Sequence, residues 1–128
     1  MSLLLDTHLL LWAAGEPDRL SENARELLLD PSNQLLFSTA SLWEISIKSG
    51  LGRPDFSVDA RRLWRMLLLA GYRELPVLGE HSIAAGELPS LHKDPFDRML
   101  LAQAKVEGLF LLTVDKALSQ YGDPVREV

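Results

Sequence analysis

The chain contains no cysteine. Disulfides and thiolate metal sites are excluded, and the absence fits a reducing, cytoplasmic compartment. Positive charge is in short supply: 13 Lys and Arg stand against 18 Asp and Glu, for a net charge of −5. That excludes a basic nucleic-acid coat. Long apolar runs are missing, because no stretch reaches the roughly 18 uninterrupted apolar residues of a membrane span. The opening MSLLLDTHLLLW lacks a basic head and carries Asp6 and His8 inside its apolar run, unlike a secretory leader. Histidine is limited to His8, His81 and His92, too scattered for a zinc site. Repeats and low-complexity linkers are absent.

What is present is a globular balance, 47% hydrophobic and 24% charged over 128 residues. That suffices for one core and one domain, 1–128. Leu3–Leu5 is an apolar run ended by Asp6, a first strand, and Thr7–Ala14 follows as a helix stopped by Gly15 and Pro17. Ser21 caps a helix over Glu22–Leu29, Gln34–Ser38 is a second strand, and Ser41–Ser49 is a helix closed by Gly50 and Gly52. Val58–Ala70 reads as a helix capped by Ser57 or Asp59, Glu74–Val77 as a short strand, and Glu80–Glu87 as a helix ended by Pro89. Pro95–Glu107 is the best-delimited helix, with Gly108 as its stop. Phe110–Val114 is a further strand, a helical turn follows Asp115, and Val125–Val128 suits an edge strand. The strands do not alternate apolar and polar residues, as expected when both faces are buried. The expected class is α/β, a short, mainly parallel sheet between layers of helices. All C-terminal strand ends then share one edge, where ligands bind.

Carboxylates mark that edge. Asp6 follows LLL, Glu44 lies early in the helix after LLFS, Asp97 opens the helix of HKDPFDRMLLAQA, and Asp115 follows LLTV. Each has an ordinary explanation. Asp6 and Asp115 suit N-caps. Ser41 and Glu44 fit a capping box, and Glu44 with Lys48 an i,i+4 pair. Asp94 before Pro95 suits an N-cap, with Asp97 as its acidic partner near the positive helix end. Yet caps accept Ser, Thr and Asn as well, so four acids on one rim point beyond capping. Crowded carboxylates resist ionising together, and a hard divalent cation such as Mg²⁺ or Mn²⁺ relieves them. Such an ion neutralises phosphate, acidifies water and stabilises a leaving oxygen. The local chemistry is therefore that of phosphodiester or phosphomonoester hydrolysis.

LLLDTHLLLW, FSTASLWEISIK, HKDPFDRMLLAQA and FLLTVDKAL resemble, in the same order, the four acidic motifs of the PIN-domain family. DTH, SLWEI and HKDPFDR resemble its VapC-type toxin branch, and the likeness runs from Leu3 to Asp115. The resemblance implies a PIN-like three-layer α/β/α sandwich. It implies a Mg²⁺- or Mn²⁺-dependent endoribonuclease that leaves 5′-phosphate and 3′-hydroxyl ends. Asp6, Glu44, Asp97 and Asp115 correspond to the family's catalytic, metal-holding acids, with Asp94 as an accessory ligand or cap. Thr113 corresponds to a small hydroxyl residue suited to a metal-bound water, while Val114 stands where a polar or basic residue is expected. A homodimer inhibited by a small antitoxin is also implied.

Between Lys48 and Arg65, Lys48, Arg53, Arg61, Arg62 and Arg65 outnumber Asp55 and Asp59. This local excess suits either an RNA backbone or a solvated helix face. Leu63, Trp64, Met66, Leu67, Leu68 and Leu69 are more apolar than one amphipathic face needs, so part is expected to meet a dimer mate or an antitoxin helix. His8, His81 and His92 are expected to be structural. Two other enzymatic or signalling classes fit less well. A phosphotransfer receiver needs an acceptor Asp after a middle strand, where this chain has Ser38, and an aspartyl phosphatase needs a second Asp where this chain has His8. A silent PIN-like binding module would have no use for all four acids.

Overall fold

The computed structural model describes residues 1–52 and 56–128; Arg53 and Asp55 of the basic segment lie outside these. Five strands form one sheet: β1 (Ser2–Leu5), β2 (Gln34–Ser38), β3 (Arg73–Leu75), β4 (Phe110–Thr113) and β5 (Val125–Glu127). Their order is β3-β2-β1-β4-β5 and every pairing is parallel. Leu4 pairs with Leu36 and Leu5 with Leu112.

Successive side chains on a strand face opposite ways, and both faces here are buried. Leu3 and Leu5 of β1, Phe37 of β2 and Leu112 of β4 face one core. Leu4, Leu36 and Leu111 face the other. The first core is covered by α1 (Thr7–Gly15), α2 (Glu22–Leu29), α3 (Thr39–Ser49) and α4 (Ala60–Leu69). The second is covered by α5 (Gly79–Glu87), α6 (Pro95–Glu107) and α7 (Lys116–Ser119). The handedness of parallel crossovers explains the split. The chain steps from β1 to β2 to β3 in one direction, then crosses to the far side of β1 for β4 and β5. Reversing direction puts the later helices on the opposite face. The α/β/α sandwich is as expected, with a sheet that is parallel throughout.

Several boundaries differ from the sequence reading, for local reasons. Helix α3 starts at Thr39, because the Ser38 hydroxyl accepts the Ala40 N–H at 3.0 Å. Ser41 therefore lies inside the helix, and no Ser41–Glu44 capping box forms. Strand β3 stops at Leu75, before Pro76, which has no N–H for a ladder. Helix α4 begins after Asp59, whose side chain accepts from the Arg61 and Arg62 N–H groups, while Ser49 pins Val58. Helix α5 begins at Gly79, where buried His81 accepts the Leu78 N–H through Nδ1. Its Nε2 meets Glu107 at 2.9 Å, so His81 is structural, joining the start of α5 to the end of α6.

On α4, Leu63 and Leu67 enter the core, and Trp64 donates its indole N–H to Glu74 at 2.7 Å. Met66, Leu68 and Leu69 remain exposed, Leu69 at 88%. The surplus of apolar residues noted on this segment thus lies on its outer face. Among the described residues no helix is long and apolar enough to cross a membrane.

Helix α6 ends as its sequence dictates. Gly108 adopts a left-handed φ of 69°, and the Leu109 N–H reaches the Ala104 carbonyl at 2.9 Å. A Cβ at that φ is strained. Gly108→Ala is expected to cost about 1 kcal/mol, seen as a lower denaturation midpoint at unchanged slope.

Candidate active site

The order β3-β2-β1-β4-β5 reverses direction between β1 and β4, and the crevice beyond such a reversal is where α/β sheets bind ligands. Asp6 lies one residue past β1. It is almost wholly buried, and one carboxylate oxygen accepts the Leu9 N–H at 2.8 Å, capping α1. The other accepts the hydroxyl proton of Thr113, the last residue of β4. The same hydroxyl accepts the Asp115 N–H at 2.9 Å. Thr113 therefore ties the acid after β1 to the acid after β4. Its one proton goes to Asp6, which gives Thr113 a positioning role. Asp115 caps the short α7 through Oδ1, at 2.8 Å from the Ala117 N–H, which leaves Oδ2 toward the rim.

Glu44 comes from α3. It too is buried, and the Thr7 hydroxyl donates to its Oε1 at 2.7 Å. Thr7 lies 3.0 Å from Ser41 as well, so Thr7, next in sequence to Asp6, links Glu44 to the β1 terminus. Lys48 Nζ sits 2.6 Å from Glu44 Oε2. The i,i+4 pair exists, with its acid end facing inward, so Lys48 is paired to Glu44 while its own side chain stays partly exposed. Arg61, Arg62 and Arg65 are exposed on α4 and do not enter this hydrogen-bonded cluster among the described residues. Arg53 lies outside the described residues.

Asp97 and Asp94 share the first turn of α6 but do different work. Asp94 is the N-cap, accepting from the Phe96 and Asp97 N–H groups at 2.8 and 3.1 Å. Asp97 does not reach back to the cap. Its Oδ2 meets His92 Nε2 at 2.8 Å, and the same nitrogen lies 3.6 Å from Asp115 Oδ2. His92, read from sequence as merely structural, is thus part of the rim. Ligand atoms of His92, Asp97 and Asp115 all lie within 4.8 Å of one another. The loop that carries His92 is fastened from α6. The Arg98 guanidinium reaches the carbonyls of Ala85, Leu88, Pro89 and His92. Tyr121 accepts the His92 N–H at 3.1 Å and donates to the Pro89 carbonyl at 2.8 Å. Neither Arg98 nor Tyr121 was indicated by motif spacing. His92 was within reach, five residues before Asp97 on the short loop of HKDPFDR.

The charges press on one another. Burial pushes the Asp6 carboxyl above its usual range, opposed by the Thr113 and Leu9 hydrogen bonds. Asp97 is pushed up to about 6, first by burial and then by the charges of Asp94 and Asp6, while His92 pulls it down. Beside the acids, Trp43 and Phe96, which precede Glu44 and Asp97, meet edge to face at 5.9 Å. With Thr39, Val77, Pro95 and Met99 they line an apolar groove of about 630 Å³.

A family model for the PIN domain matches residues 3–124. The chain belongs to the PIN-domain family. Among its relatives is Ribonuclease VapC22 of Mycobacterium tuberculosis (strain ATCC 25618 / H37Rv), 27% identical over 124 residues, or 96% of this chain and 94% of the relative. The PIN fold recurs in VapBC2 from Rickettsia felis, solved bound to a DNA fragment from its promoter. That structure has a TM-score of 0.70 at 16% identity and covers 99% of this chain and 98% of the other. It recurs again in a toxin–antitoxin complex from Klebsiella pneumoniae, with a TM-score of 0.66 at 16% identity, covering 98% and 99%.

The raised Asp97 value makes a signed prediction. The folded chain holds that proton more tightly than the unfolded one, whose carboxyl titrates near 4. The resulting stabilisation is complete below about pH 4 and is lost as pH rises through about 6. In EDTA, wild-type melting temperature should fall relative to that of Asp97→Asn across this window. Parallel curves for the two proteins would contradict the assignment.

Proposed function

We propose that this chain is a ribonuclease toxin, a single nuclease domain over residues 1–128 that hydrolyses RNA phosphodiester bonds at a Mg²⁺ or Mn²⁺ site and is restrained by a small antitoxin. The observation that carries this reading is a chain of acids at the β1–β4 reversal: Thr113 ties Asp6 to the Asp115 backbone, Asp115 and Asp97 gather around His92, and Thr7, the residue after Asp6, joins Glu44 to them. Membership of the PIN family and the ribonuclease and toxin–antitoxin names of its relatives support it. The receiver alternative is disfavoured by the sheet order, since receivers use 2-1-3-4-5 and this sheet is 3-2-1-4-5.

The residues fit a hard divalent ion. Their donors are carboxylate oxygens, one of them held proton-hungry first by burial and then by its acidic neighbours, and a cation favours its charged form. Asp6, Glu44, Asp97 and Asp115 would hold the ion, and Asp94 would serve them by fixing the first turn of α6. When bound, the ion would neutralise the scissile phosphate, make water more acidic and stabilise the leaving oxygen. The chain's own contribution is orientation. Thr113 sets the spacing of Asp6 and Asp115, and Thr7 and Lys48 hold Glu44 from both ends. Arg61, Arg62 and Arg65 offer local positive charge to an RNA backbone.

For the antitoxin, the exposed apolar residues of α4 offer a surface for a helix. A second copy of the chain is the other occupant to test, by measuring the solution mass.

Purified protein should cleave single-stranded RNA with Mg²⁺ or Mn²⁺ and stop in EDTA. Cleavage that persists in EDTA would sink the metal mechanism. Asp97→Asn should lose about a hundredfold or more of that activity, while its metal-free melting temperature holds level or rises. Asp94→Asn should lose less, since Asn still caps a helix. Co-expression of a small protein encoded beside this gene should suppress cleavage and co-purify with the chain; failure of both would refute the antitoxin part.

A further inference from the structure

The four acids come from motif positions, but the structure adds a nitrogen to them. His92 Nε2 stands 2.8 Å from Asp97 Oδ2 and 3.6 Å from Asp115 Oδ2. In octahedral coordination adjacent donors stand about 3 Å apart, for bonds of about 2.1 Å. The two separations bracket that figure. The donor atoms are also individually prepared. Asp115 uses Oδ1 to cap α7 and keeps Oδ2 for the rim. Asp97 stands on the first turn of a helix whose cap is a different residue, Asp94. His92 is held on both sides of its Cα, by Tyr121 on its N–H and by Arg98 on its carbonyl. These contacts hold the His92 backbone, and with it the loop that presents the ring to Asp97 and Asp115.

We propose that His92 is a nitrogen ligand of the divalent ion, forming with Asp97 and Asp115 a His–Asp–Asp donor set that biases the site toward Mn²⁺ over Mg²⁺. This rests on the reading that the acids hold a divalent ion. Carboxylates and water suit both Mg²⁺ and Mn²⁺, but Mg²⁺ is the harder ion, holds its waters and takes a nitrogen donor less readily than Mn²⁺, so one imidazole among oxygens shifts the preference. Ligation uses the Nε2 lone pair. The ring proton then resides on Nδ1, and the Nε2 hydrogen bond to Asp97 is exchanged for two bonds to a shared ion.

The test begins with wild-type protein stripped in EDTA, reloaded with Mn²⁺ and read by pulsed electron paramagnetic resonance. Directly bound imidazole imposes nitrogen modulation on the Mn²⁺ echo, and this is the expected result. His92→Asn should abolish the modulation and weaken Mn²⁺ binding by about tenfold or more, with a smaller loss for Mg²⁺, as measured by calorimetry. Mn²⁺ that binds, and weakens in Asp97→Asn, yet shows no nitrogen modulation overturns the His92 assignment and leaves the metal site standing. An unchanged Mn²⁺-to-Mg²⁺ preference in folded His92→Asn overturns it too. Absence of any Mn²⁺ binding in the wild type overturns both this proposal and the metal reading beneath it. The wild-type spectrum needs no variant, so a misfolded substitution does not blunt the test.

Discussion

A single buried hydrogen bond, from the Thr113 hydroxyl to the Asp6 carboxylate, sets the terms for the rest of the site. A carboxylate buried as deeply as Asp6 costs several kcal/mol unless its oxygens are satisfied. One oxygen is met at the positive end of α1, and the other needs a donor from a different strand. That donor is available only because β4 lies beside β1, with Leu5 in register with Leu112. The parallel ladder thereby fixes where Thr113 falls, and Thr113, by also accepting the Asp115 N–H, fixes where Asp115 begins. The spacing of two acids far apart in sequence reduces to the register of two neighbouring strands.

Around that bond the protein distributes its own counter-charges. Glu44 is matched by Lys48, and Asp97 by His92. Such pairs are weak evidence of stabilisation, because desolvation offsets much of the attraction. Their effect here is to let acids crowd one edge without tearing it open. The residual strain falls on Asp6 and Asp97, both of whose carboxyls are raised first of all by burial. Perturbed acids gathered in this way are more typical of a working site than of a cluster serving stability alone.

Much of this was legible in the sequence. Apolar runs without alternation marked strands buried on both faces, and Pro95 and Gly108 bounded α6 correctly. Asp6, Asp94 and Asp115 are caps, as the cap rules indicated, and for Asp6 and Asp115 capping and site membership coincide: each gives one oxygen to its helix and the other to the site. The sequence did not reveal contacts that depend on long-range geometry. Thr7 meets Glu44 across 37 positions, and Tyr121 meets His92 across 29; no local spacing encodes either. The Ser41–Glu44 capping box failed because Ser38, the last residue of β2 and three positions earlier, took the cap. The contact of His92 with Asp97 was not visible either, because a lone histidine on a loop carries no periodic signal and only the folded loop turns it toward that acid.

The clamp made by Arg98 changes how the charge of the rim is counted. A basic residue immediately after Asp97 looks, on paper, like a hand extended to an anionic polymer. Its guanidinium is instead turned onto the carbonyls where α5 ends and the following loop begins. There it balances the negative end of a helix dipole. To an approaching strand of phosphates the neighbourhood is therefore more acidic than its residue list suggests. A basic residue counted by its position is thus spent on the protein's own backbone and does not offset the acids of the rim.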